Sequence, residues 1–224
     1  MKAPDRERSK VSAQRVPVWK RAMDVSIAAT VLTVGAPVLA LVAAGSRVFL
    51  GPGVLYRQER GGHGGTSFEL LKFRSMLDLN DEDGNDRSLE DRSHPWGEFL
   101  RVSSLDEVPG LVNVLRGEMC LVGPRPFLAS YLDRYDQDQA QRHRLPPGLT
   151  GLAQTSGRNL LDWEEKFELD NRYVDELSLR EDVRILLRTA GQVLTPWKQR
   201  NTGHAPEFFG TASTATSTAI ANGS

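Results

Sequence analysis

The sequence predicts an α+β fold: a helix-rich domain with small strands, joined to a membrane by a Pro-interrupted apolar helix near the N-terminus and by interfacial amphipathic helices. Three observations predict it. Residues 25–46 carry no charge, a run long enough for a membrane helix, and Pro37 stands at its middle. Short apolar runs at 54–56, 68–76 and 119–122 lie beside glycine- and proline-rich turns, the pattern of short strands. Apolar side chains at helical spacing recur at 111–115, 163–174 and 185–194. The 224 residues suffice for one domain of good size plus an appendage.

Residues 1–17 are polar and basic and predict a disordered or membrane-surface arm. Lys20 and Arg21 then open the apolar run, and Arg47, Arg57 and Arg60 follow it. Basic residues on both flanks favour the cytoplasmic side for both ends. A helix that enters one leaflet, breaks at Pro37 and returns satisfies both features. A spanning helix also tolerates proline, so both topologies stay open at this point.

Val54–Tyr56 reads as a strand entering a turn at 61–65, where four glycines surround His63. That turn lacks the spacing of a P-loop or a dinucleotide fingerprint. Residues 68–76 form a second strand whose alternation does not assign its faces. Residues 78–95 are acidic and polar, a solvated loop without the spacing of a calcium-binding loop.

The stretch 103–126 organises the chain. Ser104 and Glu107 have the spacing of a capping box, which predicts a helix start. Leu111, Val114 and Leu115 give that helix an apolar face, and Gly117 ends it. Pro109 costs one backbone bond if Ser104 is the cap, and none if the cap lies nearer Asp106. The adjacent carboxylates Asp106 and Glu107 allow two readings. They serve a helix dipole. Or, with Arg125 in the rigid turn 123–126, they make a phosphate and metal site, one carboxylate binding Mg²⁺ and the other attacking phosphorus.

Residues 133–144 predict a polar helix. Gly148, Gly151, Gly157 and Arg158 make either an anion-binding loop or a structural one. Trp163, Phe167, Asn171 and Val174 predict a helical core face. Ser178 and Glu181 cap a basic amphipathic helix with Arg180, Arg184 and Arg188 on one side. It ends toward Trp197 and Lys198 and suits a membrane interface or a soluble surface. Beyond Gln199 the composition predicts disorder.

Composition narrows the function. A net charge of −1 argues against a general nucleic-acid binder. Cys120 is the single cysteine, so no intramolecular disulfide or cysteine-rich zinc cluster is expected, and its apolar neighbours predict a buried thiol. The four histidines show no metal-ligand spacing.

Taken in order, several short motifs carry a resemblance. They are Lys20-Arg21-x-x-Asp24 before the Pro-broken run, Gly51-Pro52, Gln58-x-Arg60 and Lys72-Phe73-Arg74-x-Met76. Leu100-Arg101, Leu105-Asp106-Glu107-x-Pro109 and Asn113-Val114-Leu115-x-Gly117-x-Met119 come next. Val122-Gly123-Pro124-Arg125-Pro126, Gly148-x-Thr150-Gly151-x-Ala153-Gln154, Gly157-Arg158 and Asp182 with Thr189 complete them. Over about residues 18–195 the chain resembles the monotopic phosphoglycosyl transferases, bacterial sugar transferases that start glycan assembly on polyprenol phosphate.

The resemblance implies transfer of a sugar-1-phosphate from a nucleotide sugar, usually UDP-linked, to polyprenol phosphate, with release of UMP. It implies Asp106 as nucleophile, Glu107 as the Mg²⁺ ligand, and Arg74, Arg101, Arg125 and Arg158 at phosphates. It implies a re-entrant anchor broken at Pro37, a site on the cytoplasmic face of the cell membrane, and membrane lipid as a partner. The implied boundaries are a basic arm at 1–17, the re-entrant helix at 18–49, the catalytic domain at 50–198 and a disordered tail at 199–224. The sugar, the polyprenol and any homo-oligomer stay open. Gly110 replaces a usual Gln, Cys120 a usual Ser, and Ala36 a Ser of some relatives; none of these touches the carboxylate pair. The alternative is a membrane scaffold of polysaccharide assembly that has lost catalysis.

Overall fold

A charged residue sealed in apolar surroundings needs a partner, and two such residues wire the apolar helix into the domain. The structure, a computed structural model, describes residues 11–78, 88, 91–157, 160–195 and 208–210. Helix α1, Val18–Phe49, runs through Pro37 as one element. Near its start, Lys20 and Asp24 are fully buried. Lys20 Nζ pairs with Asp182 at 2.7 Å and donates to the Tyr173 hydroxyl at 3.0 Å. Asp24 accepts from the backbone N–H of Leu121 at 3.1 Å. At the far end, Val42 and Ser46 are buried, and Ser46 accepts from Trp96 Nε1 at 3.1 Å. No residue from 29 to 41 is buried, and Val34 and Leu41 are more than 70% exposed. Both ends of α1 therefore rest on the domain, while its apolar middle is uncovered. It is one helix long and apolar enough to cross a membrane, among the described residues.

Strands β1 (Leu55–Gly61) and β2 (Ser67–Phe73) form an antiparallel hairpin, with Tyr56 opposite Lys72 and Arg60 opposite Phe68. Gly64 and Gly65 turn the chain in the left-handed region, at φ of 65° and 75°, which glycine adopts without penalty. Helix α2, Pro95–Val102, follows, with His94 capping it by accepting from the N–H of Trp96. Helix α3, Gly110–Arg116, is stapled to β2 by the fully buried Asn113. Its Oδ1 accepts from Leu71 N at 3.0 Å, and its Nδ2 donates to Glu69 O at 2.7 Å. Gly117, at φ 84°, ends α3 as expected. Leu111 and Val114 point inward; Leu115, expected on the same face, is 36% exposed.

Strand β3, Cys120–Val122, pairs in parallel with β4, Gly148–Thr150. Their glycines permit close approach. A Cβ on Gly148 would sit 2.1 Å from the Gly123 nitrogen, and one on Gly151 would sit 2.2 Å from the Gly123 oxygen. The Gly148 amide donates to Pro124 O at 2.9 Å. Of the two readings of this glycine cluster, the structure gives Gly148 and Gly151 a packing role. Cys120 is buried, as expected.

The polar helix expected at 133–144 is three short pieces. A 3₁₀ turn, Ala129–Arg134, precedes α4, Gln137–Ala140, and a second 3₁₀ turn, Gln141–Arg144, follows it. Asp136 restarts the helix by capping Gln139 N in a full capping box. After the short α5, Leu152–Ser156, helix α6 runs Trp163–Asp175 and buries Phe167, Tyr173 and Val174. Helix α7, Leu179–Leu194, begins at Ser178, whose side chain accepts from Glu181 N. Asp182 and Ile185 face the core. Leu179, Val183, Leu187 and Leu194 are exposed, beside exposed Arg180, Arg184 and Arg188.

The tail expected to be disordered needs one correction: Phe208 is only 2% exposed and packs in an aromatic cluster with Tyr131 and Phe167. The ring has found enough apolar surface to outweigh the entropy of ordering that segment. Apart from 208–210, residues 199–224 lie outside the described residues, as do Trp197, Lys198 and most of the acidic loop 78–95.

Candidate active site

The carboxylate pair sits in a 3₁₀ turn, Leu105–Glu107, and not at the start of a long helix. Pro109 decides this. It has no N–H to bond back to Leu105, so α3 starts only after it, with Pro109 as N-cap. The expected capping box does not form. Ser104 makes no side-chain cap bond and takes a left-handed conformation, φ 58°, the one non-glycine residue to do so among the described residues. A left-handed serine is costly and needs support from its surroundings. Leu105 and Val108 supply it: the first packs beside Leu100, the second on the main core. Asp106 and Glu107 are held between these two anchors.

The antiparallel register puts Arg60, Leu70 and Lys72 on one face of the hairpin. That face, the Pro-Arg-Pro turn and Leu149 enclose an open cleft that also takes in Glu107. Lys72 Nζ lies 2.7 Å from Glu107 Oε1, and Arg125 Nη2 lies 3.8 Å from the same oxygen. Arg60 Nη1 donates to Pro126 O at 3.2 Å, tying the hairpin to the Arg125 turn, while its Nε is buried without a partner. Burial, and then the charge of Arg125, hold the Arg60 guanidinium below its usual range. Two cations thus meet one glutamate with Arg60 close by, and 47% of the Arg125 side chain faces solvent. Such a cleft holds more positive charge than its own carboxylate neutralises and suits a polyanion.

Burial pushes the Asp106 carboxyl up to about 6, helped by the adjacent charge of Glu107 and opposed by Lys72 and Arg101. Its carboxylate is therefore more basic than an ordinary aspartate, yet largely ionised at neutral pH. Among the described residues, no three His, Cys, Asp or Glu side chains converge on a metal site. Glu107 in the cleft and Asp106 beside it are, among the described residues, the hard oxygen donors. A pair of this kind is too sparse for a structural metal. It fits Mg²⁺, which completes its shell with water and substrate phosphate.

The predicted residues are not all brought together. Glu107 and Arg125 line the cleft; Asp106 sits buried beside Glu107, where the charges of Lys72 and Arg101 act on it, and Arg101 Nη1 donates to Ser75 O at 2.7 Å. Arg74 is turned elsewhere. Its guanidinium donates to the carbonyls of Pro52 and Met76 and pairs with Asp78 at 2.8 Å, so it buttresses the loops beside the hairpin. Arg158 lies outside the described residues. Lys72 and Arg60 were absent from the expected site. Their period-2 placement on a common strand face was the available signal, but it becomes readable only once the register is known.

The model of the bacterial sugar transferase family matches residues 15–196. The chain is 42% identical over 195 residues to EpsL of Bacillus subtilis, named an uncharacterized sugar transferase, covering 86% of this chain and 96% of that protein. It is 41% identical over 194 residues to a UDP-glucose:undecaprenyl-phosphate glucose-1-phosphate transferase of Caulobacter vibrioides, covering 80% and 71%. It is 35% identical over 193 residues to an undecaprenyl-phosphate galactose phosphotransferase of Salmonella typhimurium, covering 78% and 40%. With the match running through the apolar helix, the cleft and α7, the chain belongs to the bacterial sugar transferase family.

Proposed function

We propose that this protein transfers a sugar-1-phosphate from a UDP-sugar to undecaprenyl phosphate at the cytoplasmic face of the cell membrane, as an early step of exopolysaccharide assembly. One observation carries the reading: Glu107, next in the chain to the buried Asp106, lies in a cleft with Lys72, Arg60 and Arg125, and the charge of Lys72 acts on Asp106 as well. A diphosphate needs such cations, and a phosphoryl group needs such a nucleophile. The names of the relatives supply the two substrates.

In the first half-reaction an Asp106 carboxylate oxygen attacks the β-phosphorus. The bond from that phosphorus to the oxygen bridging the α-phosphorus breaks, and UMP leaves with the electron pair. In the second, a phosphate oxygen of undecaprenyl phosphate attacks the same phosphorus, freeing the carboxylate and forming a lipid diphosphate sugar. Arg125 is braced between two prolines, and its planar fork holds phosphate oxygens that a lysine would hold less rigidly. Lys72 positions Glu107 and adds charge beside the diphosphate. Glu107 would hold Mg²⁺, which supplies neutralisation of the charge growing on the leaving group. The scaffold alternative gives no reason for a basic buried carboxylate next to a glutamate that faces Lys72 and Arg125.

UDP-glucose and UDP-galactose, each incubated with the protein, Mg²⁺ and undecaprenyl phosphate in lipid nanodiscs, test the reading. A lipid diphosphate sugar with equimolar UMP is expected from at least one donor. Release of UDP would mean sugar transfer without its phosphate, and no turnover would favour the scaffold; either result overturns the proposal.

The anchor is part of the same reading. Both ends of the apolar helix pack on the same domain, which supports an anchor whose two ends lie on one side of the membrane. In that reading α1, continuous through Pro37 in this structure, bends there in lipid and returns rather than spanning. Single cysteines at Ser12 and Gln137, in a Cys120→Ser background, should both react only with a reagent on the cytoplasmic side. Labelling of the two from opposite sides would rule out re-entry.

A further inference from the structure

Among the described residues Arg142 is the largest fully buried side chain; it and its partner Asp170 are each 1% exposed. Its Nη2 donates to Asp170 Oδ2 at 2.6 Å and also to the backbone carbonyl of Arg125. The Tyr135 hydroxyl faces the guanidinium; Arg142 Nε and Nη1 are otherwise buried without a partner, and so is Asp170 Oδ1. A guanidinium in this condition is costly to bury, and the faces of aromatic rings offset part of that cost. The guanidinium lies 4.1 Å from the centroid of Phe127 and 5.6 Å from that of Phe167.

Phe208 closes this enclosure from outside the family match, which ends at residue 196. Its centroid is 5.2 Å from both Trp163 and Phe167, 5.6 Å from Tyr135 and 5.7 Å from Tyr131. Two backbone contacts fasten it: Arg134 donates to Phe208 O, and Phe208 N donates to the Tyr131 hydroxyl at 3.4 Å. The line of contact then runs unbroken from the tail through Phe167 and Arg142 to the Arg125 turn.

We propose that Phe208 is a positioning residue for Arg125. It seals the aromatic cage, the dry cage keeps Arg142 on the Arg125 carbonyl, and that bond holds the turn whose guanidinium binds substrate phosphate. Opening the cage removes the packing that fixes the guanidinium, and water reaching Nε and Nη1 lets it turn away from the carbonyl, which Nη2 alone holds. The proposal rests on the phosphate-binding role given to Arg125 above.

A double-mutant cycle tests it, with lipid diphosphate sugar formation from UDP-glucose or UDP-galactose as the readout. Phe208→Ala should lower kcat/KM by about 10-fold, the loss expected when an active group is loosened without being removed. Phe208→Met, which refills most of the volume, should restore most of it. In an Arg125→Ala background, Phe208→Ala should have no further effect. Hydrogen exchange of the 124–128 segment should rise in Phe208→Ala, and this measurement stands even if that variant has lowered activity through partial unfolding, because exchange in α3 should stay unchanged. Unaltered kinetics in Phe208→Ala, effects that multiply with Arg125→Ala, or exchange rising equally in α3 would each overturn the inference. If Arg125→Ala itself leaves activity intact, the phosphate-binding reading of Arg125 fails, a result distinguishable from failure of the Phe208 link.

Discussion

Asp106→Asn is expected to lower turnover by about a thousandfold or more, the scale on which enzymes lose rate when a covalent nucleophile is removed. The substitution keeps the side chain's size and its place between the anchored Leu105 and Val108. It removes only the charge and the attacking oxygen. Lys72, Arg60 and Arg125 keep their contacts with Glu107 and the Pro126 carbonyl, since none of these involves Asp106. Binding of UDP-sugar, measured by calorimetry with Mg²⁺ present, should therefore change by less than about tenfold. Wild-type protein given a UDP-sugar and no undecaprenyl phosphate should release up to one UMP per site. It should also gain a phosphosugar mass on the peptide containing Asp106. Asp106→Asn should show neither. Substantial turnover in this variant, or kinetics requiring both substrates before any UMP appears, would remove Asp106 from its role.

How far this site could be read from the chain depends on which physical signals are local. Gly117 ends α3 and Ser178 caps α7 because each involves its own few neighbours. The hairpin, the apolar helix and the buried Cys120 were legible for the same reason. The start of α3 was misread because the local match of Ser104 to Glu107 competes with the missing N–H of Pro109, and the proline prevails. The break-up of 133–144 turns on the Asp136 capping box and on Arg142, whose partner Asp170 is distant in sequence. Arg74 and Lys72 show the limit most directly. They are two residues apart on neighbouring positions of one face, yet Lys72 meets Glu107 while Arg74, just past the end of β2, meets Pro52 and Asp78. Strand periodicity cannot say which of the two reaches the cleft until the strand's end and its partners are known. Phe208 carried no signal at all in its Thr- and Ala-rich surroundings; its meaning lies in five rings brought together by the fold.

Glu107→Gln is expected to lower kcat/KM by about a hundredfold or more at a fixed millimolar Mg²⁺ concentration, and to shift the Mg²⁺ dependence to higher concentration. Two effects combine. Among the described residues the glutamate is the one carboxylate in contact with both Lys72 and Arg125, at 2.7 and 3.8 Å. An amide of the same shape accepts a hydrogen bond but leaves two cations facing each other with their shared counter-charge gone. It also takes from Mg²⁺ the anionic oxygen on which the proposed site depends. The pair with Lys72 is only partly exposed, 21% on the lysine side and 27% on the glutamate side, so solvent screens its loss incompletely. A Mg²⁺ titration of the initial rate separates the two effects. If metal binding dominates, saturating Mg²⁺ should recover much of the rate; if the cation pair dominates, the maximum rate should stay low, and Lys72→Met added to Glu107→Gln should cost less than it does in the wild type. A variant with wild-type rate and Mg²⁺ dependence would show that Glu107 neither holds the metal nor orders the cleft, and the placement of Mg²⁺ at this carboxylate would have to be abandoned.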